Sequence, residues 1–501
     1  MYFCDRFTSF VALVTFGSQV VLAQRQTYWD LSPFNTPLDG ADTSRSSFSE
    51  VSATGKNPVK RIAIIGAGAG GSSAAYFLNE YAKKNPIGPQ LEIEVFEKSD
   101  RIGGRVYPRF FGQDHEKYEM GANAFIVDNY NLMNASRDFQ IEKEANELGD
   151  STLGLYDGNE FVALNDNSWS NQAAFYYRYS WGSFRANRFA NSVKAQFLKL
   201  YDESLPPYRT VEEMLKRVDL LQYLFQTSRD VLINEWSAGP VYTDELFQAI
   251  SRNIYASNSS LHSLAGAIAL IAAQGSYTTV GGNDQFFQKY LEHSGATVHF
   301  NSPVTKIKRV PGDSDDLVWN RYILEAGGER ISGTFDAVVL ATPFHQSDIK
   351  VLNLDLDLEE VPYRTVYVAV IEDALVNPGF FHADAIPDVI FGFNSSESFT
   401  VIGHSPKTRR ANIEAVEPIS MEWLSKLFNS TLRSDQVTFQ TWKAYPKMVV
   451  KESDAEEIFP PINLGPSFYY VNSVESAISC MEVEVMSGRN IARLVLDDLK
   501  A

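Results

Sequence analysis

Residues 61–78 read RIAIIGAGAGGSSAAYFL. Ile62, Ala63, Ile64 and Ile65 make a short apolar run of the kind that forms a strand buried on both faces. Gly66, Gly68 and Gly71 then spell G-x-G-x-x-G, with Gly70 among them, and the small residues Ser72, Ser73, Ala74 and Ala75 continue as a helix. In such a strand–turn–helix the first glycine permits the tight turn and the second lets a pyrophosphate approach the backbone. The third lets helix and strand pack closely, and the free N–H groups of the helix start face the phosphate. The stretch predicts a Rossmann-type α/β unit around a dinucleotide. A plain Gly-rich turn satisfies the same spacing, so the identity of the ligand rests on residues further along the chain.

A dinucleotide site wants a carboxylate at the end of the second strand for the ribose hydroxyls. The second strand is predicted at 91–98, LEIEVFEK, and Glu97 closes it, with Lys98 beside it. Glu97 lies 31 residues after Gly66 (97 − 66), beyond the usual spacing of ~20; the segment KKNPIGP at 83–89 accounts for the excess as a loop. Arg101, Gly103, Gly104 and Arg105 come next. Two adjacent glycines let the chain run against a second anionic surface, and an arginine offers bidentate bonds to phosphate. A nicotinamide site alone has no need of that second contact.

The 501 residues allow two or three domains with substantial cores. A formal charge of −18 argues against nucleic acid, which requires a basic footprint. It also disfavours electrostatic docking on anionic lipid, but says nothing against an apolar substrate bound through buried area. At the N-terminus, FTSFVALVTFGSQVVLA (7–23) is apolar and ends in small residues, which predicts a signal peptide over 1–23; a buried apolar helix is the alternative. Residues 24–58 are polar and broken by Pro33, Pro37, Gly40 and Pro58, as in a loosely packed arm. Cys4 and Cys480 are the two cysteines; loss of the leader leaves Cys480 alone, with no disulfide to form. Sequons at Asn134, Asn258, Asn394 and Asn429 make these glycosylation candidates. No metal-ligand pattern is visible.

Along the chain, βαβ features fall in three blocks, 59–130, 278–345 and 465–501. The stretch 131–277 reads as largely helical and 346–464 as mixed, with strands at RTVYVAVI and SFTVIGH and a helix near 419–432. The expectation is a dinucleotide domain assembled from the three blocks, with an α+β substrate domain inserted as 131–277 and 346–464.

E-x-x-x-R-x-G-G-R after a Rossmann turn resembles the flavoprotein oxidase superfamily of amine oxidases and phytoene desaturases, where it marks non-covalent FAD. The resemblance implies that Met120, Gly121 and Ala122 lie along the flavin and that Val304 meets the adenine through its backbone. It also implies that Ala341 ends a strand beside the dinucleotide, that Glu475 sits near the ribityl and pyrophosphate, and that the amides around Val483 face the flavin carbonyl. The candidate cofactor set is thus Gly66, Gly68, Gly70, Gly71, Glu97, Lys98, Gly103, Gly104, Arg105, Met120, Gly121, Ala122, Val304, Ala341, Glu475 and Val483. Within the superfamily the chain looks most like the prenylcysteine oxidase family, known in plants as farnesylcysteine lyase. ELFQAISRNIYASNSSLHSLAGAIALIAAQGSYTTVGGNDQF (245–286) and YYVNSVESAISCMEVEVMSGRNIA (469–492) carry that likeness. Amine oxidases usually have Gly-Ala where this chain has Val483-Glu484.

That family's reaction, as the resemblance implies, removes a hydride from the isoprenoid carbon beside sulfur, passes it to flavin N5, and ends in cysteine, a prenyl aldehyde and hydrogen peroxide. The partners implied are a prenylcysteine, O2 and water, with transient contact to a membrane or lipid left open and oligomeric state unread. The address implied is a lysosomal or vacuolar lumen. A farnesyl chain needs an apolar slot, for which Phe175, Tyr176, Trp181, Phe184, Trp236, Tyr242, Tyr255 and Tyr277 are candidates, although each also reads as ordinary core or surface. His262, His345 and His404 read as surface or satisfied residues, and no catalytic residue is assigned. An amine or polyamine oxidase and a non-catalytic FAD- or lipid-binding protein remain the alternatives.

Overall fold

The computed structural model describes residues 59–85, 88–112, 115–146, 151–166, 168–310, 321–356, 358–394, 398–453 and 458–499. The expected signal peptide at 1–23 and the expected arm at 24–58 lie outside the described residues. Strands β1 (Val59–Ile65), β2 (Gln90–Phe96), β3 (Thr297–His299), β4 (Ala337–Leu340), β5 (Asn463–Gly465) and β6 (Phe468–Tyr470) form one six-stranded sheet in the spatial order β5-β6-β4-β1-β2-β3. All neighbours are parallel except β5 and β6. The strand period of two explains why the sheet is buried on both faces. Ile62, Ile64, Val95 and Val339 point into one core; Ala63, Ile65, Phe96, Val338 and Leu340 point into another. Each fully buried Ile or Val contributes roughly 1.5–3 kcal/mol.

The first core is closed by helix α1 (Ala69–Lys83), which packs against α3 (Gln285–Ser294) and α4 (Met481–Asp498). Between α1 and α3 in the chain runs α2 (Trp169–Phe197), started by Ser168, whose side chain accepts from Asn171 N at 3.3 Å. The second core is closed by a four-stranded sheet of Val304–Val310, Arg321–Ala326, Glu329–Arg330 and Lys350–Leu352.

A seven-stranded sheet runs in the order Val437–Pro446, Tyr363–Ile371, Arg410–Ala415, Phe399–Ser405, Val389–Gly392, Leu153–Tyr156, Phe161–Asn165. One face, with Val366, Val368, Val389 and Val401, joins the larger core. The other, with Ala369, Ile371, Ile402 and Ile413, packs on Leu424 and Leu427 of the helix Met421–Phe428.

The stretch 131–277 is largely helical, as the sequence predicts, and it also contributes short strands that the sequence does not announce. Lys143–Asn146 pairs with Ser276–Thr279, and Leu153–Tyr156 with Phe161–Asn165 forms a hairpin that lies parallel to Val389–Gly392. These strands are four or five residues long, too short for alternation to declare itself beside the long aromatic helix that comes after them.

Candidate functional site

The turn between β1 and α1 is held by backbone geometry that only glycine allows. Gly66 sits at φ +106°, and a Cβ on Gly71 would fall 1.9 Å from Gly66 O. Ala341 N donates to Ile65 O (2.9 Å), which fixes the end of β4 beside the turn. Gly103 N donates to Ala67 O (3.0 Å), and Gly68 forms a bridge with Gly103. The Gly103-Gly104 turn therefore lies directly against the glycine turn. Gly68, the N-cap of α1, offers no side-chain cap, so the first-turn amides of Ala69, Gly70 and Gly71 have no intrahelical acceptor.

Glu97 is buried at the end of β2, where it accepts from Ala67 N (2.9 Å), Ser99 N (2.9 Å) and Ser99 Oγ (2.7 Å). Ser302 N donates to Glu97 O (2.8 Å) and Asn301 N to Ser99 O (2.9 Å), which brings the segment leading into Val304 to the same corner. Lys98 is exposed and Val304 buried.

Arg105 does not wait for an anion alone. Its guanidinium is paired with the buried Glu475 and donates to Ala444 O at 2.7 Å. Tyr363 also donates to Glu475, as does Asn472 Nδ2 at 2.8 Å. Burial alone would raise the Glu475 carboxyl, but Arg105, Glu484 and Tyr363 together hold it below the usual carboxylate range. The neighbouring Glu484 is pushed the other way, well up, first by burial and then by the Glu475 charge. Its Oε1 has no hydrogen-bond partner among the described residues, and neither has Asn472 Oδ1 or the buried Tyr208 hydroxyl. Glu484 reaches this place because α4 packs against the start of α1. A Cβ on Gly70 would come 3.0 Å from Glu484 Oε2, and one on Gly488 would meet Gly70 O at 2.5 Å.

Met120, Gly121 and Ala122 run beside Arg105. Met120 N donates to Tyr107 O (2.9 Å), Ala122 N to Arg105 O (3.0 Å), and Trp442 Nε1 to Met120 O (2.6 Å). Val483 is buried in the first turn of α4. Glu482, one residue earlier, is fully used: it accepts from Asn131 N (2.9 Å), Asn131 Nδ2 (2.8 Å), Leu132 N (3.1 Å) and the Tyr201 hydroxyl (2.8 Å).

Several groups here carry no sequence signal. Tyr363 and Trp442 belong to no motif, Asn472 falls inside the 469–492 block with no role assigned to it there, and Glu484 is visible only as an unusual residue in place of alanine. Glu414 is a further case. It stands opposite Val368 and Val401 on the apolar face of the seven-stranded sheet. Burial pushes its carboxyl up to about 7, and no hydrogen bond or ion pair engages that carboxyl among the described residues. The Tyr445 phenol is raised by burial and by Glu414. The Tyr445 ring packs edge-on against Tyr255 at 5.5 Å.

The expected aromatic slot divides. Phe175, Tyr242 and Tyr255 are core residues, Trp236 and Tyr277 are half-buried, and Tyr176, Trp181 and Phe184 face outward on α2. The helix period, not composition, decides this. His262 is buried as the N-cap of the helix Ser263–Ala272, and burial lowers it to about 4. His404 is buried against Pro387 O at 2.8 Å. Burial pushes the Cys480 thiol up to about 12. A cleft open to solvent lies beyond β4, lined by Phe344, Leu358, Val361 and Tyr470 together with His345, Glu359 and Lys443. Among the described residues no cluster of His, Cys, Asp and Glu could hold a metal ion.

The glycine cradle, the helix-start amides and the polar atoms of Glu484 and Asn472 that have no partner among the described residues fit a ligand with a pyrophosphate. Comparison with known proteins agrees. A family model for an NAD(P)-binding Rossmann-like domain matches residues 64–139. Putrescine oxidase with a redesigned cofactor site superposes with a TM-score of 0.54 at 15% identity, over 88% of this chain and 100% of that one; this shows the shared fold. Farnesylcysteine lyase of Arabidopsis thaliana is 29% identical over 87% of this chain and 88% of its own length. Prenylcysteine oxidase 1 of Homo sapiens is 26% identical over 87% and 89%. The prenylcysteine lyase family model matches residues 163–501, well over half of the chain. With a dinucleotide cradle in front and that match running to the C-terminus, the chain belongs to the prenylcysteine lyase family.

Proposed function

We propose that this protein is an FAD-dependent thioether oxidase that cleaves an S-prenyl-L-cysteine, with O2 and water, to cysteine, a prenyl aldehyde and hydrogen peroxide. The observation that carries the reading is the closure of the N-terminal glycine turn by the C-terminal segment, Glu475 to Gly488, in a member of this family. Bound FAD supplies the hydride acceptor for the carbon next to sulfur and passes the electrons to dioxygen. Sulfur stabilises the substrate cation, water adds to it, and the hemithioacetal falls apart into thiol and aldehyde. No acid–base pair is required for hydride loss.

The residues divide the remaining work. The amides of Ala69, Gly70 and Gly71 receive the pyrophosphate at the positive end of α1. Glu97 takes the ribose hydroxyls, and Val304 the adenine edge. Gly103, Gly104 and Arg105 approach the second phosphate, with Glu475 fixing the Arg105 fork. Met120 to Ala122, braced by Trp442, and Val483 lie along the ring system. Glu414 receives the α-ammonium of the cysteine. On this reading residues 59–130, 278–345 and 465–501 hold the cofactor, and 131–277 and 346–464 take the substrate.

The reading extends to a secretory route ending in a lysosomal or vacuolar lumen. The apolar leader at 7–23 supports it, as does the exposure of Asn258, Asn394 and Asn429; Asn134 is only half-exposed on the helix Tyr130–Asp138. A secreted, glycosidase-sensitive product would agree, and a protein retaining 1–23 without glycans would refute that address.

The activity is tested with purified protein and farnesylcysteine in the absence of oxygen. Bleaching of the flavin with release of farnesal is expected. Reduction by amines alone, or a yellow protein that no thioether reduces, overturns the proposal.

A further inference from the structure

The face of α2 turned away from the core carries Trp169, Tyr176, Tyr177, Trp181 and Phe184; Trp169 is 84% exposed and Tyr177 91%. At 3.6 residues per turn these five lie within roughly 140° of the helix circumference. The opposite side, with Phe175, Tyr179, Ala186, Phe189 and Val193, is buried. Single exposed hydrophobics are ordinary, whereas a contiguous aromatic stripe calls for an interface.

The charges on α2 are as one-sided as its aromatics. In a chain with a formal charge of −18, this helix holds Arg178, Arg185, Arg188 and Lys194 and not one Asp or Glu. Arg178 pairs with Glu245 and Lys194 with Asp128. Arg185 lies over the Trp181 ring, 4.5 Å from its centroid. Neither Arg185 nor the exposed Arg188 has a carboxylate partner among the described residues.

We propose that this face of α2 docks on an anionic bilayer surface. The Trp and Tyr rings, apolar bodies with polar tips, sit at the boundary between headgroups and acyl chains, while Arg185 and Arg188 lie against the lipid anions. The unpaired arginines favour lipid over a second copy of the chain, because a two-fold interface would bring the same cationic patch against itself. Among the described residues no helix is long and apolar enough to cross a membrane, so the contact is a peripheral one. It stands apart from the catalytic reading and does not depend on it.

The test is flotation of the purified full-length protein with vesicles of phosphatidylcholine alone or of phosphatidylcholine with phosphatidylserine. Binding to the anionic vesicles is expected, weakening with salt over the range in which exposed charges are screened. Arg185→Gln and Arg188→Gln each lower the affinity about fivefold. Trp169→Ser with Trp181→Ser lowers it by about tenfold or more, with flavin absorbance and melting temperature kept. Should the tryptophan variant misfold, the surface arginine variants decide alone. Equal binding to both vesicle types, no binding, or arginine variants that bind like wild type overturns the proposal. So does a stable dimer in sedimentation velocity that the tryptophan substitutions split.

Discussion

Glu475 and Glu484 lie side by side inside the protein, bridged by Asn472 Nδ2, which donates to Glu475 Oε1 at 2.8 Å and reaches Glu484 Oε2 at 3.4 Å. The Arg105 guanidinium lies on the Glu475 side of the pair. One cation against two buried carboxyls leaves Glu475 ionised and Glu484 protonated, since like charges this close do not both ionise in a dry site.

The two members therefore respond differently to the same change. Glu484→Gln keeps a neutral side chain of equal size, and we expect full flavin occupancy. Glu475→Gln strips Arg105 of its counter-charge and is expected to cost about 3 kcal/mol, with loss of bound FAD. Flavin absorbance per protein and thermal denaturation of both variants read this out; equal damage in the two would refute the charge assignment.

The glycine turn separates folding from binding. A Cβ on Gly71 would stand 1.9 Å from backbone Gly66 O, so Gly71→Ala is expected to destabilise the fold by about 3 kcal/mol. A Cβ on Gly68 meets nothing nearer than Gly104 Cα at 3.8 Å. Gly68→Val should therefore fold, while blocking the approach of the pyrophosphate and weakening FAD at least about tenfold. Circular dichroism and flavin titration distinguish the two; an undiminished flavin content in Gly68→Val counts against this seat for the phosphates.

Substrate recognition is tested at Glu414. Glu414→Gln is expected to raise KM for farnesylcysteine about tenfold, with little change in kcat. An analogue lacking the α-amino group should show no such rise. A KM that increases for both compounds would make Glu414 a structural residue only.

Stability should depend on pH through Glu119. Burial pushes its carboxyl up to about 7, and its Oε2 has no partner among the described residues. A raised carboxyl pKa means that the folded state binds more protons than the unfolded one between the ordinary value and about 7. Stability is then lost as pH rises through that window, by about 3 kcal/mol for this group. His262, lowered to about 4, acts oppositely between there and its ordinary value, so the contribution of Glu119 is read as a difference. Urea denaturation of wild type and Glu119→Gln at about pH 5 and about pH 7.5 (values that bracket the window) should show the variant gaining relative stability at the higher pH.

Much of the cofactor corner is legible in the chain's local patterns. The run Ile62–Ile65, the glycines to Gly71, Glu97 and the Gly103-Gly104 pair are such patterns, and short backbone bonds bring them to one place. The hairpin of Leu153–Tyr156 and Phe161–Asn165 is not legible in this way, because strands so short take their identity from their partners. The outward face of α2 escapes composition for a related reason, and its rings do not line a slot. Aromatic content alone does not tell a buried ring from an exposed one; the angle around the helix does.

The sequence by itself determined the strand–turn–helix and the dinucleotide it cradles, because these depend on residue types at fixed spacing along a few turns of backbone, and its longer blocks carry the resemblance that points to the family. Only the tertiary structure decided that Arg105 is claimed by Glu475, that Tyr363, Asn472 and Glu484 join them, and that Glu414 is left without a partner among the described residues. Those relationships are matters of which side chains meet once distant segments pack. Charge state depends on that meeting, since burial and neighbouring charges, not residue identity, set where a proton resides.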